Sequence, residues 1–252
     1  MPKSLIKRSE SMLNPELDIA ALAREYQQDD RIQIRDIFKP EIAERLRKCC
    51  LSEVPFDYIF YIDGQNKVVT EQEMSSLDSS QQESMQAEVM KAASKGIGFL
   101  YCGYMMNRHE EPANKSLAFL HQVYDSFKDE EVLAVFRRIT GRDDLTSIDG
   151  QFTRYTRGQF LTRHSDEIGS ENRRIAFVFG LSTQWHPDWG GLLQFYEKDG
   201  TPRDFWTPEF NTLSLFDVRH IHGVSYITPF AAAPRLSFTG WFTDPGSAEL
   251  DS

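Results

Sequence analysis

The sequence contains no apolar run near the roughly 20 residues that a membrane-crossing helix requires, and none of its segments is low-complexity or repeated. Its first twenty residues carry basic side chains but neither an apolar stretch nor a small-residue cleavage site, so no secretory signal is expected. Cysteine is scarce: Cys49, Cys50 and Cys102 are the only three, and two of them are adjacent. That excludes a disulfide framework and matches no zinc-ligand spacing, leaving buried apolar positions as the default reading. Positive charge is also in deficit. The 28 Lys and Arg stand against 38 Asp and Glu, a net charge of −10. Proteins that grip nucleic acid through its phosphates carry a basic surface, so this balance disfavours nucleic acid and favours a basic protein or a small molecule, and with no long apolar run no membrane partner is expected. A reduced, cytoplasmic address is expected.

What is present suffices for a core. Of 252 residues 40% are hydrophobic and 12% aromatic, including 18 Phe, which fits one large domain or two small ones. Apolar spacing predicts helices over 16–28, 40–51, 80–95, 116–127 and 129–140, the second with Pro40 in its first turn and the last closed by Gly141. Strands are expected over 31–36 and 97–106, with a hairpin from 56–63 through a turn at Gly64–Asn66 into 67–70. Residues 71–79 are too rich in Ser to assign. After Ser147 the texture changes to short strand-like runs at 150–156, 174–181, 191–197, 210–216, 223–228 and 235–242. Such spacing suggests a sandwich, jelly roll or barrel. Helices packed on one face of a sheet fit the whole, so one β-rich α+β domain over 16–242 is expected, with support from 16–146 and barrel strands from 147–242. Residues 1–15 and 243–252 read as flexible tails.

The chemistry concentrates in a few motifs. His164 and Asp166 are two apart, so on a strand both side chains leave one face. An imidazole and a carboxylate so placed chelate a metal. A second His from a distant strand would complete the two-His, one-carboxylate set of non-haem Fe(II) oxygenases, with positions left open for a co-substrate and O₂. His222 follows an apolar run 56 residues after Asp166, and Arg235, Ser237, Thr239 and Trp241 alternate with Leu236, Phe238 and Gly240 thirteen residues later. A strand there presents a guanidinium, two hydroxyls and an indole on one face, suited to a bidentate hold on a carboxylate.

The order Tyr155, Gly158, His164-x-Asp166, Gly190-Gly191, His222, Arg235-x-Ser237 resembles the iron- and 2-oxoglutarate-dependent dioxygenases, in their prolyl hydroxylase branch. The likeness spans about residues 150–242, with a weaker one over Ile32–Leu51. The stretches 173–181, 189–196 and 235–242 are most similar to prolyl hydroxylases acting on a small-subunit ribosomal protein, with the hypoxia-sensing enzymes more distant. The resemblance implies a double-stranded β-helix (a jelly-roll, cupin-like barrel) with supporting N-terminal helices. It implies Fe(II) held by His164, Asp166 and His222; 2-oxoglutarate held by Arg235, Ser237 and Tyr155; O₂ as oxidant; and ascorbate as a candidate reductant. Thr239 and Trp241 would line the iron cavity and Arg174 would contact a protein substrate. The implied reaction hydroxylates a C–H bond, with a prolyl residue of a ribosomal or translation-associated protein as the expected target, and decarboxylates 2-oxoglutarate to succinate and CO₂. The second, degenerate barrel of the ribosomal eukaryotic relatives is not expected.

Several features qualify this. Gly180 stands where relatives carry a Tyr on the distal carboxylate, which either opens the pocket or hands the role to another group. His220 competes with His222; His-Gly-Val at 222–224 matches the family's His-x-Val. His186 reads as a loop residue near the site mouth, and His109 and His121 as structural. Tyr58, Phe60 and Tyr61 read as core, and the aromatic content is expected to wall the iron. Alternatives are a hydroxylase of a free amino acid or small peptide, and a non-catalytic jelly-roll binding module. Nucleic-acid demethylation is disfavoured, because relatives of that type carry a second Arg where this chain has Trp241.

Overall fold

The computed structural model describes residues 11–109, 111–167 and 171–245. The flanking tails expected from the sequence lie outside these residues except at 11–15 and 243–245. There the chain is ordered into the fold: Met12 and Leu13 are buried, Leu13 bridges Phe38, and Thr243 ends a strand.

The helical half reads largely as its spacing predicts. Helices are α1 (Ile19–Tyr26), α2 (Pro40–Ser52), α3 (Glu71–Ser76), α4 (Ser79–Ala93), α5 (Lys115–Ser126) and α6 (Glu130–Thr140). The Ser-rich stretch turns out to be α3 and the start of α4. Each has a reciprocal N-terminal cap, Thr70 with Glu73 and Asp78 with Gln81, which satisfies the amides that Ser would otherwise compete for. Glu130 and Glu131 sit in the first turn of α6 and Arg137 and Arg138 in its last, complementing the helix dipole, and Gly141 ends it at φ 70°.

The strands are β1 (Arg31–Arg35), β2 (Asp57–Ile62), β3 (Gln65–Val69), β4 (Phe99–Met105), β5 (Ser147–Tyr155), β6 (Phe160–His164), β7 (Arg173–Gly180), β8 (Leu193–Tyr196), β9 (Pro202–Trp206), β10 (Thr212–Asp217), β11 (Ile221–Val224) and β12 (Arg235–Thr243). They form one antiparallel sheet in the order β1-β10-β7-β12-β5-β4-β6-β11-β8-β9, and the β2–β3 hairpin pairs with β4. This strand-rich, curled sheet with helices on its outer side is the jelly-roll arrangement. Strands of the first half are integral to it, since β1 pairs with β10 and β4 with both β5 and β6. The two ends of the sheet order meet through Arg31 of β1 and Asp204 of β9, joined by hydrogen bonds of 2.6 and 3.0 Å, with the guanidinium over Phe195 and Trp206. Neither β6 nor β9 is evident in the sequence pattern. β9 is an exposed edge strand that starts at Pro202, where a missing N–H is tolerated, and it has no buried face to read.

The two faces of the sheet serve different purposes. Leu236, Phe238 and Phe242 of β12, Ile175, Phe177 and Phe179 of β7, and Leu213 and Leu215 of β10 pack outward under the helices. Phe127, at the end of α5, sits among them with ring contacts to Phe38, Phe136, Phe177, Phe179, Phe238 and Phe242. The phenylalanines of β7 and β12 thus build the helix–sheet core, while Phe99 and Phe216 line the cavity on the inner side, the latter edge-on at 4.7 Å from the His222 ring, in keeping with the expected aromatic wall. Phe127→Ala removes a fully buried ring from the centre of this cluster. It should lower unfolding free energy by about 3–5 kcal/mol, read as a reduced midpoint in urea denaturation.

Candidate active site

β12 lies between β5 and β7, and its register sets the inner face. Arg235 is opposite Tyr155, Ser237 opposite Thr153, Thr239 opposite Gln151 and Trp241 opposite Asp149. Because side chains alternate, this row turns away from the phenylalanine core. It borders a cavity of about 520 Å³ whose lining includes His164, Asp166, His222, Tyr155, Thr153, Arg235, Thr239 and Trp241. Ser237 does not reach the cavity wall but bonds to Arg235, whose Nη1 donates to its Oγ at 2.9 Å.

At one side of the cavity, β11 pairs with β6 so that His222 is directly opposite His164, their rings 4.4 Å apart. Asp166 lies two residues beyond the end of β6, tied by its amide to the Val218 carbonyl. Its Oδ1 is 3.3 Å from His164 Nε2 and its Oδ2 3.4 Å from His222 Nε2. One ligand atom from each residue falls within 4.8 Å of the others, so the three can hold one metal ion. The imidazoles are oriented alike: His164 Nδ1 is 3.0 Å from the Thr162 carbonyl and His222 Nδ1 3.0 Å from the His220 carbonyl. A hydrogen on Nδ1 leaves the Nε2 lone pair free, as ligation requires.

Electrostatics favour the ligating forms at two of the three positions. Burial alone would raise the Asp166 pKa, but the His164 hydrogen bond and the neighbouring His222 outweigh it and bring it to about 2. The Trp241 N–H adds to this from beyond good hydrogen-bond geometry. Burial lowers His222 to about 4, against the pull of Asp166, so its imidazole is neutral at pH 7. At His164, burial lowers the pKa but the Asp166 contact wins and raises it.

Toward the other side lies Arg235, 3% exposed. Its Nε donates to the Gly191 carbonyl at 2.9 Å and its guanidinium lies 5.3 Å from the Tyr155 ring centre. No carboxylate among the described residues pairs with it. A buried guanidinium without a counter-ion is costly, and burial lowers its pKa. The site therefore fits both implied groups: an N₂O metal set and, in the same cavity, an unmatched cation for a carboxylate.

Two further positions singled out from the sequence have defined surroundings. Arg174 does not line the cavity; it pairs with Asp244 at 2.6 Å. A register shift places Thr243 opposite Arg173 while Phe242 faces Ile175, so Arg174 is the extra residue of a bulge and Arg173 takes the inner face. Arg173 lines the cavity and stacks 3.4 Å from the Trp241 ring centre. At Gly180 the missing side chain leaves no more than a cavity of about 10 Å³, bordered by Glu209 and Arg235. A Cβ there would collide with the Glu209 carbonyl oxygen, so the backbone of the loop before β10 occupies that space. Thr239 lines the cavity, with its hydroxyl donated to the Phe177 carbonyl. His220 precedes β11 in a turn and its ring is held by the Asp29 carbonyl at 2.9 Å, outside the triad. His186 is exposed on a loop off the cavity, and His109 stacks on Tyr104. Tyr101, Gln151, Thr153 and Asp149 line the cavity without having been singled out from sequence. The alternation along 147–155 was the signal that could have found the last three.

Residues 150–243 match the 2OG-Fe(II) oxygenase superfamily. Mouse prolyl 3-hydroxylase OGFOD1 is 33% identical over 123 residues, a match covering 46% of this chain and 22% of that protein. A Pseudomonas putida prolyl-4-hydroxylase structure superposes with TM-score 0.58 at 18% identity, over 90% of this chain and all of that one. A Trichoplax adhaerens prolyl hydroxylase in complex with a hypoxia inducible factor peptide gives TM-score 0.57 at 16% identity, over 92% and 91% of the two chains. The chain carries a 2OG-Fe(II) oxygenase domain.

The triad geometry separates the two candidate histidines. His222→Ala should weaken Fe(II) or Mn(II) binding by at least about a hundredfold, whereas His220→Ala should leave it within a few-fold. Anaerobic metal titration distinguishes them, and equal losses would place His220 in the site.

Proposed function

We propose that this oxygenase domain makes the chain an Fe(II)- and 2-oxoglutarate-dependent hydroxylase of a prolyl residue in a protein. The observation that carries the reading is the joint presence, in one cavity, of the His164–Asp166–His222 cluster and the unpaired Arg235. We take residues 16–242 as one domain, in which 16–146 support the barrel strands of 147–242. When bound, Fe(II) with 2-oxoglutarate and O₂ would supply the oxidation, coupling decarboxylation to succinate and CO₂ with hydroxylation of a substrate C–H bond.

The chain's own residues would then bind, orient and exclude water. His164, Asp166 and His222 would hold the ion, a two-His, one-carboxylate set of the kind that leaves positions for a co-substrate and O₂. Arg235, braced by Ser237 and the Gly191 carbonyl, would take the distal carboxylate of 2-oxoglutarate, and Tyr155 would pack beside it. Tyr101 stacks on Tyr155 at 5.1 Å and completes that wall. Trp241, Thr239 and Arg173 would meet the substrate. Ile97, 60% exposed, belongs to the cavity lining together with Gly96 and Gly98, an apolar rim suited to a peptide segment. The net charge of −10 suits a basic partner such as a ribosomal or translation-associated protein. No described helix is long and apolar enough to cross a membrane, and we place the protein in the cytoplasm. Ascorbate would serve to restore Fe(II).

Two measurements test this. Arg235→Ala should raise the KM for 2-oxoglutarate by roughly a hundredfold in a succinate-release assay. Intact-mass comparison of ribosomal and translation-factor proteins from cells with and without the gene should show one protein losing the mass of a single oxygen atom in the deletion strain. Unchanged masses throughout would overturn the assignment of substrate class.

A further inference from the structure

With no side chain at Gly180 and the Glu209 carbonyl in its place, two hydroxyls among the described residues are hydrogen-bonded in a chain to Arg235, those of Ser237 and Thr153. Both residues are 1% exposed. Their oxygens are 3.3 Å apart across the β5–β12 register, and Ser237 Oγ also accepts from Arg235 Nη1 at 2.9 Å.

Counting hydrogens decides where this chain leads. The two hydroxyls own two protons, and one is spent between them. The other meets no acceptor among the described residues, which a buried donor does not normally tolerate. Hydroxyl hydrogens rotate, and Ser237 lies off the cavity wall while Thr153 lines it. The chain is therefore satisfied when Arg235 donates to Ser237, Ser237 donates to Thr153, and Thr153 donates to an acceptor in the cavity. Arg235 supplies the positive charge that draws an anionic acceptor to that spot.

We infer that Thr153 is a co-substrate-positioning residue, whose hydroxyl donates to the same carboxylate that Arg235 binds. The inference rests on the 2-oxoglutarate reading above. It assigns to β5 a hydrogen-bond donor for the carboxylate, where Gly180 on β7 offers none. The ligand class it selects is a 2-oxo acid with a second carboxylate, as opposed to one ending in a methyl group.

Equilibrium binding to the full chain, anaerobic and loaded with Mn(II), tests this without turnover. Thr153→Val keeps the shape and removes the hydroxyl; Thr153→Ser keeps the hydroxyl. The Kd for 2-oxoglutarate should rise roughly ten- to hundredfold in Thr153→Val and stay near wild type in Thr153→Ser. The Kd for 2-oxovalerate, which lacks the distal carboxylate, should be the same in all three, and Mn(II) affinity should not change. If Thr153→Val binds 2-oxoglutarate like wild type, or loses both acids equally, the inference is overturned while the oxygenase reading stands. A wild-type protein that binds neither acid with Mn(II) present would overturn both.

Discussion

β12 is held between β5 and β7, and that double pairing decides the face taken by every residue on the Arg235 side of the site. Arg235, Ser237, Thr239 and Trp241 turn inward against Tyr155, Thr153, Gln151 and Asp149, and Leu236, Phe238 and Phe242 turn outward under the helices. A slip of one residue would exchange the two sets and bury the guanidinium among phenylalanines. The outer core is thus what keeps the inner row in register. Its cohesion comes from ring packing around Phe127, where volume changes are poorly tolerated.

The inner face then operates by charge. Asp166 stays ionised against the penalty of burial because two imidazoles face it, and each imidazole is turned by a backbone carbonyl toward it. Opposite, Arg235 is buried with backbone and hydroxyl partners but no counter-ion among the described residues. Left alone, these are an expensive arrangement of charge in a low-dielectric cavity. A divalent cation at one end and a dicarboxylate spanning to the other would neutralise both.

Much of this is legible in the sequence because it depends on period-two alternation and on ligand spacing. The triad, Arg235 and the strand carrying Arg235 follow from such patterns together with the family likeness, and helices such as α2 and α6 follow from period, Pro40 and Gly141. The rest is hidden for identifiable reasons. The bulge that turns Arg173 inward and Arg174 outward inserts one residue without any compositional mark. β9 has no buried face, and α3 depends on reciprocal caps within a Ser-rich stretch. The collision at Gly180 involves the backbone of Glu209, a neighbour that pairwise sequence spacing does not reveal. The outward destination of Phe177, Phe179, Phe238 and Phe242 follows from which face the helices cover, and composition does not specify that.

The central claim is that one metal ion and one dicarboxylate share this cavity, each stabilising the other. Calorimetric titration of 2-oxoglutarate into the anaerobic protein with and without Mn(II) tests it most directly. Saturable, equimolar binding that requires the metal, and that disappears with it in Asp166→Ala, is the result expected. Binding of equal strength without metal, or none with metal present, would contradict the account.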